Sequence, residues 1–121
     1  MEYQSARALS RASGIRIKDL KNLPFTPAEI LYLDHQADLA EIVYADEAHT
    51  LYYRASKGNP DPSGDYNEYD TVENRELGGV AVTLKGEGNL IHVALYAQKG
   101  LYYAISSEEG LTWEQLEAML T

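Results

Sequence analysis

Two stretches of this chain nearly repeat each other. Residues 44–56 read YADEAHTLYYRAS and residues 96–106 read YAQKGLYYAIS, sharing a Tyr-Ala opening, a Leu-Tyr-Tyr core and a closing serine. In each, an apolar run meets a short polar connection and a second apolar run follows, which is the pattern of a β-hairpin. Successive side chains on a strand point to opposite faces, so one tyrosine of each pair enters a core and its neighbour faces away. The repeat is therefore architectural, one hairpin solution used twice with loops that differ by two residues. Ten tyrosines against one phenylalanine suit such a sheet, because tyrosine packs on a pleated surface while its hydroxyl stays polar-bonded or wet.

The rest of the chain extends this β pattern between two helical ends. Residues 3–12 suit a short helix with Ala6 and Leu9 on one face and Gly14 as its left-handed stop. IRIKDL alternates briefly before Pro24 breaks the pattern. TPAE offers a helix start, with Thr26 as cap, Glu29 closing the box and Phe25 and Ile30 as staple. ILYLDH reads equally as a strand, so residues 26–35 predict at most one helical turn and then strand. LAEIVYA and TLYYRAS, joined by DEAH, form the first hairpin, with Leu51, Tyr53 and Ala55 on one side and Tyr52, Arg54 and Ser56 on the other. YDTVENREL predicts a further strand ending at Gly78-Gly79, and VAVTL follows with Val80, Val82 and Leu84 on one face. KGEGN then turns the chain. LIHVALYA is expected to point Ile91, Val93, Leu95 and Ala97 inward, and Gln98-Lys99-Gly100 to form a three-residue loop before LYYAIS. The chain closes on a helix capped by Thr112, boxed by Gln115, stapled by Leu111 and Leu116, and burying Trp113, Leu116 and Met119 or Leu120. The expected fold is a single α+β domain over 1–121: an antiparallel sheet of six to seven strands, with the N-terminal helical segment (1–14) and the C-terminal helix packed mainly on one face.

Several kinds of chemistry are set aside by the residues themselves. The absence of cysteine removes disulfides, thiolate nucleophiles and thiolate metal sites. A net charge of −9 argues against nucleic acid, whose phosphates are bound through Lys and Arg. The charge is uneven: residues 1–21 carry five basic and two acidic residues, and the remainder five basic and seventeen acidic. No apolar run approaches the ~20 residues that span a bilayer, so any export signal or anchor would have to lie outside these residues. There is no Gly-x-Ser-x-Gly elbow, no Gly-x-Gly-x-x-Gly and no P-loop. His35, His49 and His92 are too dispersed to pair on a helix, and Asp34, His35 and Asp38 read as a surface loop. A cofactor and a metal are not expected.

One segment invites a functional reading. Residues 57–70, KGNPDPSGDYNEYD, are long and irregular and carry four acidic residues; loops of that length in a compact domain tend to be functional or mobile. Asp61, Ser63, Asp65, Asn67 and Asp70 offer oxygen ligands, but the EF-hand template fails, with Tyr66 at the glycine position and Val72 at the glutamate position. Aromatic anchors ringed by charge suit a transient interface instead. The candidate partner-binding residues are Asp65, Tyr66, Asn67, Tyr69 and Asp70, facing a basic or amphipathic protein or peptide.

LPF, AEIVY, LYYRASKG, SGDYNEY, VTLKGEG and GLYYAISSEEGLTWEQLEAML, in that order and over residues 15–120, resemble the bacterial family known as domain of unknown function 4367. Many members carry a tryptophan in the strand before the last hairpin, where this chain has ALYA. The resemblance implies an extracytoplasmic domain behind a membrane-spanning helix in Gram-positive bacteria, sometimes in proteins similar to anti-sigma factors, and no catalytic residues. Together, residues and resemblance give the expectation of a non-catalytic extracytoplasmic sensing or protein-interaction domain. The alternatives are a small-ligand or lipid-binding domain with a cavity between sheet and helices, and a cytoplasmic location.

Overall fold

The computed structural model describes residues 1–65 and 67–120. Its elements run β1 (Glu2–Tyr3), α1 (Ala6–Ser13), β2 (Glu29–Asp34), β3 (Leu39–Ala45), β4 (Thr50–Ser56), β5 (Thr71–Leu77), β6 (Val80–Glu87), β7 (Leu90–Gln98), β8 (Leu101–Leu111) and α2 (Trp113–Leu120). All eight strands form one antiparallel sheet in the order β1-β2-β3-β4-β8-β7-β6-β5. The sheet is thus two four-stranded meanders joined at a β4–β8 seam. The count exceeds the six to seven strands expected because Glu2–Tyr3 pairs with Tyr32–Leu33, a two-residue bridge too short to leave an alternating pattern. The N-terminal segment is for that reason not wholly helical.

The repeated hairpins sit side by side at the seam. Tyr53 pairs with Ile105 and Ala55 with Tyr103, so exchanging the two copies maps each pair onto the other about the Arg54–Ala104 pair. As expected, Tyr53 and Tyr103 are buried and Tyr52 and Tyr102 lie on the other face. The second hairpin loop is two residues, not three: Gln98 pairs with Leu101, and Lys99 and Gly100 both have positive φ, the mark of a type I′ turn that matches strand twist. The same correction applies at KGEGN, where β6 runs on to Glu87 and only two residues turn.

The core lies on one face of the sheet. Ala40, Ile42, Tyr44, Leu51, Tyr53, Ala55, Tyr103 and Ile105 form it together with Leu9 of α1 and Leu116 and Met119 of α2. α1 is capped by Ser5, whose hydroxyl accepts the Ala8 N–H, and is stopped by Gly14 at φ 74°. α2 has the expected box: Thr112 N–H donates to Gln115 Oε1 at 2.9 Å and Gln115 N–H to Thr112 Oγ1 at 3.1 Å. The inward parity expected for β7 is corrected beyond Ile91. The ladder shifts between Ile91 and Val93, so Ala94 and Tyr96 join the core face while Val93, Leu95 and Ala97 turn to the other. Residues 26–28 form no helical turn. Ala28 N–H bonds Ala45 O, Glu29 already belongs to β2, and Phe25 stacks on His49 at 4.9 Å instead of stapling Ile30.

IRIKDL is not a strand but an extended strap laid over the core, with Ile15, Ile17 and Leu20 buried. Tyrosine hydroxyls hold it down. Tyr44 donates to Asp19 Oδ1 at 2.8 Å and accepts the Leu20 N–H at 3.0 Å, Tyr32 also donates to Asp19, and Tyr103 donates to Arg16 O. This explains the tyrosine-for-phenylalanine bias: a buried ring that carries a polar tip satisfies strap backbone that water cannot reach. Burial raises the Tyr44 phenol first, and Asp19 adds to the rise.

Candidate functional site

Among the described residues the opposite face of the sheet carries no helix. It is crossed by the described residues of the connection from β4 at the centre to β5 at the edge, 57–65 and 67–70. Arg54, central on β4, anchors this crossover. Its Nη1 donates to Ser63 O at 2.8 Å and Pro62 O at 3.4 Å, while Nε meets Glu41 Oε2 at 2.5 Å. Glu41 is only 3% exposed, and its other oxygen accepts from His35 Nε2 at 2.7 Å. A buried carboxylate is costly unless paired, so its two donors account for its place on β3. Further along, Asp61 faces Lys85 of β6 at 3.6 Å and Tyr69 stacks on His92 of β7 at 5.8 Å.

Between crossover and sheet lies a cavity of about 510 Å³. Tyr52, Arg54, His92 and Ser106 supply its floor from strands, and Ser63, Asp65, Asn67 and Tyr69 its roof. The roof is self-bonded. Asp65 accepts from the Asn67 backbone and side-chain amides and from the Tyr69 hydroxyl. Partial burial alone would push the Asp65 carboxyl up, but the Tyr69 and Asn67 hydrogen bonds outweigh it and hold the group below the usual carboxylate range. Tyr69 is correspondingly raised, first by its bond to Asp65. On the floor, a carbonyl can only accept, so His92 Nδ1 carries the hydrogen that bonds Ser107 O at 2.9 Å and Nε2 is the ring nitrogen left over. Burial first, and then Glu108 on the rim, push the Tyr52 phenol above its ordinary value. Ser106 Oγ is buried without a partner among the described residues.

Of the five residues singled out from sequence, Asp65, Asn67 and Tyr69 line this cavity; Asp70 is exposed and does not; Tyr66 lies outside the described residues. Tyr69 is half-buried against His92, a roof member more than a free anchor. The four floor residues were missed. The alternation of TLYYRAS puts Arg54 and Tyr52 on the side of β4 away from the core, and that alternation is the available signal. Tyr52 is covered by the crossover, which lies on its face of the sheet. A second groove of about 450 Å³ sits between β5–β6 and the start of α2, lined in part by Arg75, Leu84, Leu90 and Trp113, with the Arg75 guanidinium 4.8 Å over the Trp113 ring. Among the described residues no cluster of His, Asp and Glu is arranged to hold a metal ion, and no helix is long and apolar enough to cross a membrane. No family model, curated protein or solved structure matches the chain.

Proposed function

We propose that the chain is a non-catalytic recognition domain that takes the basic side chain of a peptide or protein partner into the cavity under the crossover. The observation that supports this most is the charge balance of that cavity. Its one arginine is already neutralised by Glu41 and tied to loop carbonyls, whereas Asp65 is held ionised on the roof and Glu108 stands exposed on the rim. An ammonium or guanidinium finds carboxylate acceptors and the tyrosine rings of Tyr52 and Tyr69 there. An anion meets uncompensated negative charge, and a lipid tail would strand Arg54, Asp65 and His92 without solvent. An extracytoplasmic, membrane-anchored setting belongs to the proposal on the strength of the motif resemblance.

Trilysine and triglutamate, titrated into isotopically labelled protein, test the reading. Trilysine is expected to shift the backbone amides of Gly64, Asn67, His92 and Ser107 and to lose its effect as salt is raised; triglutamate is expected to leave them in place. Equal shifts from both peptides, or shifts only around Trp113, would overturn it. The groove beside Trp113 supports a second reading, a small-ligand site between sheet and helix. Its mixed apolar and charged lining and its 450 Å³ volume fall in the range of ordinary ligand pockets.

A further inference from the structure

The sheet ends unequally. At one side β1 contributes two residues; at the other β5 presents seven, paired to β6 alone. Residues 72–76 are all exposed, and Val72, at 60%, is among the most exposed large apolar side chains among the described residues. A long bare edge is a template for another strand, since its outward N–H and C=O groups have no partner among the described residues. We propose that this edge pairs with β5 of a second copy, antiparallel and centred on Asn74, giving a dimer with one continuous sheet.

The register follows from the sequence of the strand. In antiparallel self-pairing about Asn74, Glu73 lies opposite Arg75 of the second copy, and Arg75 opposite its Glu73. Both side chains are on the core face, beside Leu84 and Val82 of β6, and within one chain Arg75 Nη2 already stands 3.3 Å from Glu73 Oε1. The pairing therefore closes a ring of four alternating charges. Arg75 is held in place by the Trp113 ring beneath it. On the other face Asn74 accepts from Thr83 Oγ1 through Oδ1, which leaves its amide hydrogens to meet the second Asn74. Centring on Glu73 or on Arg75 would set like charges opposite each other, and centring on Val72 or Glu76 would lose both opposite-charge pairs. Cross-strand charge pairs of this kind select register, and like pairs oppose it. A single strand pair is a small interface, so the dimer is weak and forms at high concentration.

Charge swaps test the register directly by sedimentation velocity across a concentration series. The native chain is expected to dimerise reversibly. Glu73→Arg and Arg75→Glu, each alone, should weaken association by about tenfold or more, because each sets two like pairs face to face. An equimolar mixture of the two variants should form a heterodimer, and the double variant E73R/R75E should regain the native behaviour. A native chain that stays monomeric at its solubility limit, a dimer that both single variants retain, or a mixture that fails to associate would each overturn the proposal. Should Arg75→Glu unfold by losing Trp113, amide exchange in the native protein decides instead: protection of β5 amides must rise with protein concentration, and constant protection refutes the dimer.

Discussion

Raising the pH should unfold this domain steeply, and the tyrosines set the slope. Tyr44, Tyr53 and Tyr96 carry phenols raised above their ordinary value of 10, in each case chiefly by burial; Tyr96 reaches about 12. Tyr53 and Tyr96 share a 2.9 Å hydrogen bond, and Tyr103 stacks 4.9 Å from Tyr96. An unfolded chain releases these protons near pH 10, while the folded chain keeps them. Above pH 10 the unfolded state therefore binds fewer protons and stability falls with pH; below pH 10 the full contribution is present. Each retained proton is worth about 1.4 kcal/mol per pH unit, so three give about 4 kcal/mol per unit. Against an ordinary total of about 5–10 kcal/mol, the fold should be lost about one to three units above pH 10. Urea denaturation followed by circular dichroism at successive pH values measures the slope, and absorbance near 295 nm, a wavelength characteristic of phenolate, reports the protons. Tyr53→Phe should remove about one third of the slope. Constant stability between pH 10 and 11.5, or all ten phenols titrating together near 10, would refute the argument.

Two further outcomes follow from named contacts. Arg54→Met removes the anchor of the crossover and leaves Glu41 with His35 alone; a loss of about 3 kcal/mol is expected, with new protease cleavage inside 57–70, and adding Glu41→Gln should restore part of it. Gly86→Ala should cost about 3 kcal/mol or more in a thermal or urea melt, because the new methyl carbon would sit 1.9 Å from Leu90 O; an unchanged melt would mean that the β6–β7 turn yields freely.

Where local chemistry decides an element, the sequence was enough to read it. The α2 box, the Gly14 stop and the in-out assignment of both Leu-Tyr-Tyr runs are each set within a few residues. Errors arose where long-range contacts decide. Residues 15–20 alternate like a strand but pair with no neighbour, because hydroxyls of Tyr32, Tyr44 and Tyr103 take them as a strap. Beyond Ile91 a register shift reversed β7, which no alternation count reveals. The site was legible in part for the same reason. Composition marked the crossover, but only the sheet order sends it across Arg54 and His92, so the floor of the cavity was hidden until β4 was paired with β8.

The two meanders also bear on how the chain finds its fold. Seven strand pairings hold the sheet together, and six of them join strands consecutive in sequence, five as hairpins and one as the brief β1–β2 bridge across α1 and the strap. The seam is different, closing Leu51 onto Ser107 and Ser56 onto Tyr102, and bringing such distant segments together costs loop entropy before any contact repays it. Hairpins on either side can form early and repeatedly, while their union is the slow step. Substitutions at Ala55 or Ile105 should then act mainly on the folding rate, and those at the outer strand β5 mainly on unfolding. A chain built as two local ribbons and one late junction keeps its most aggregation-prone moment to a single event, the interval in which β4 and β8 are both still edges.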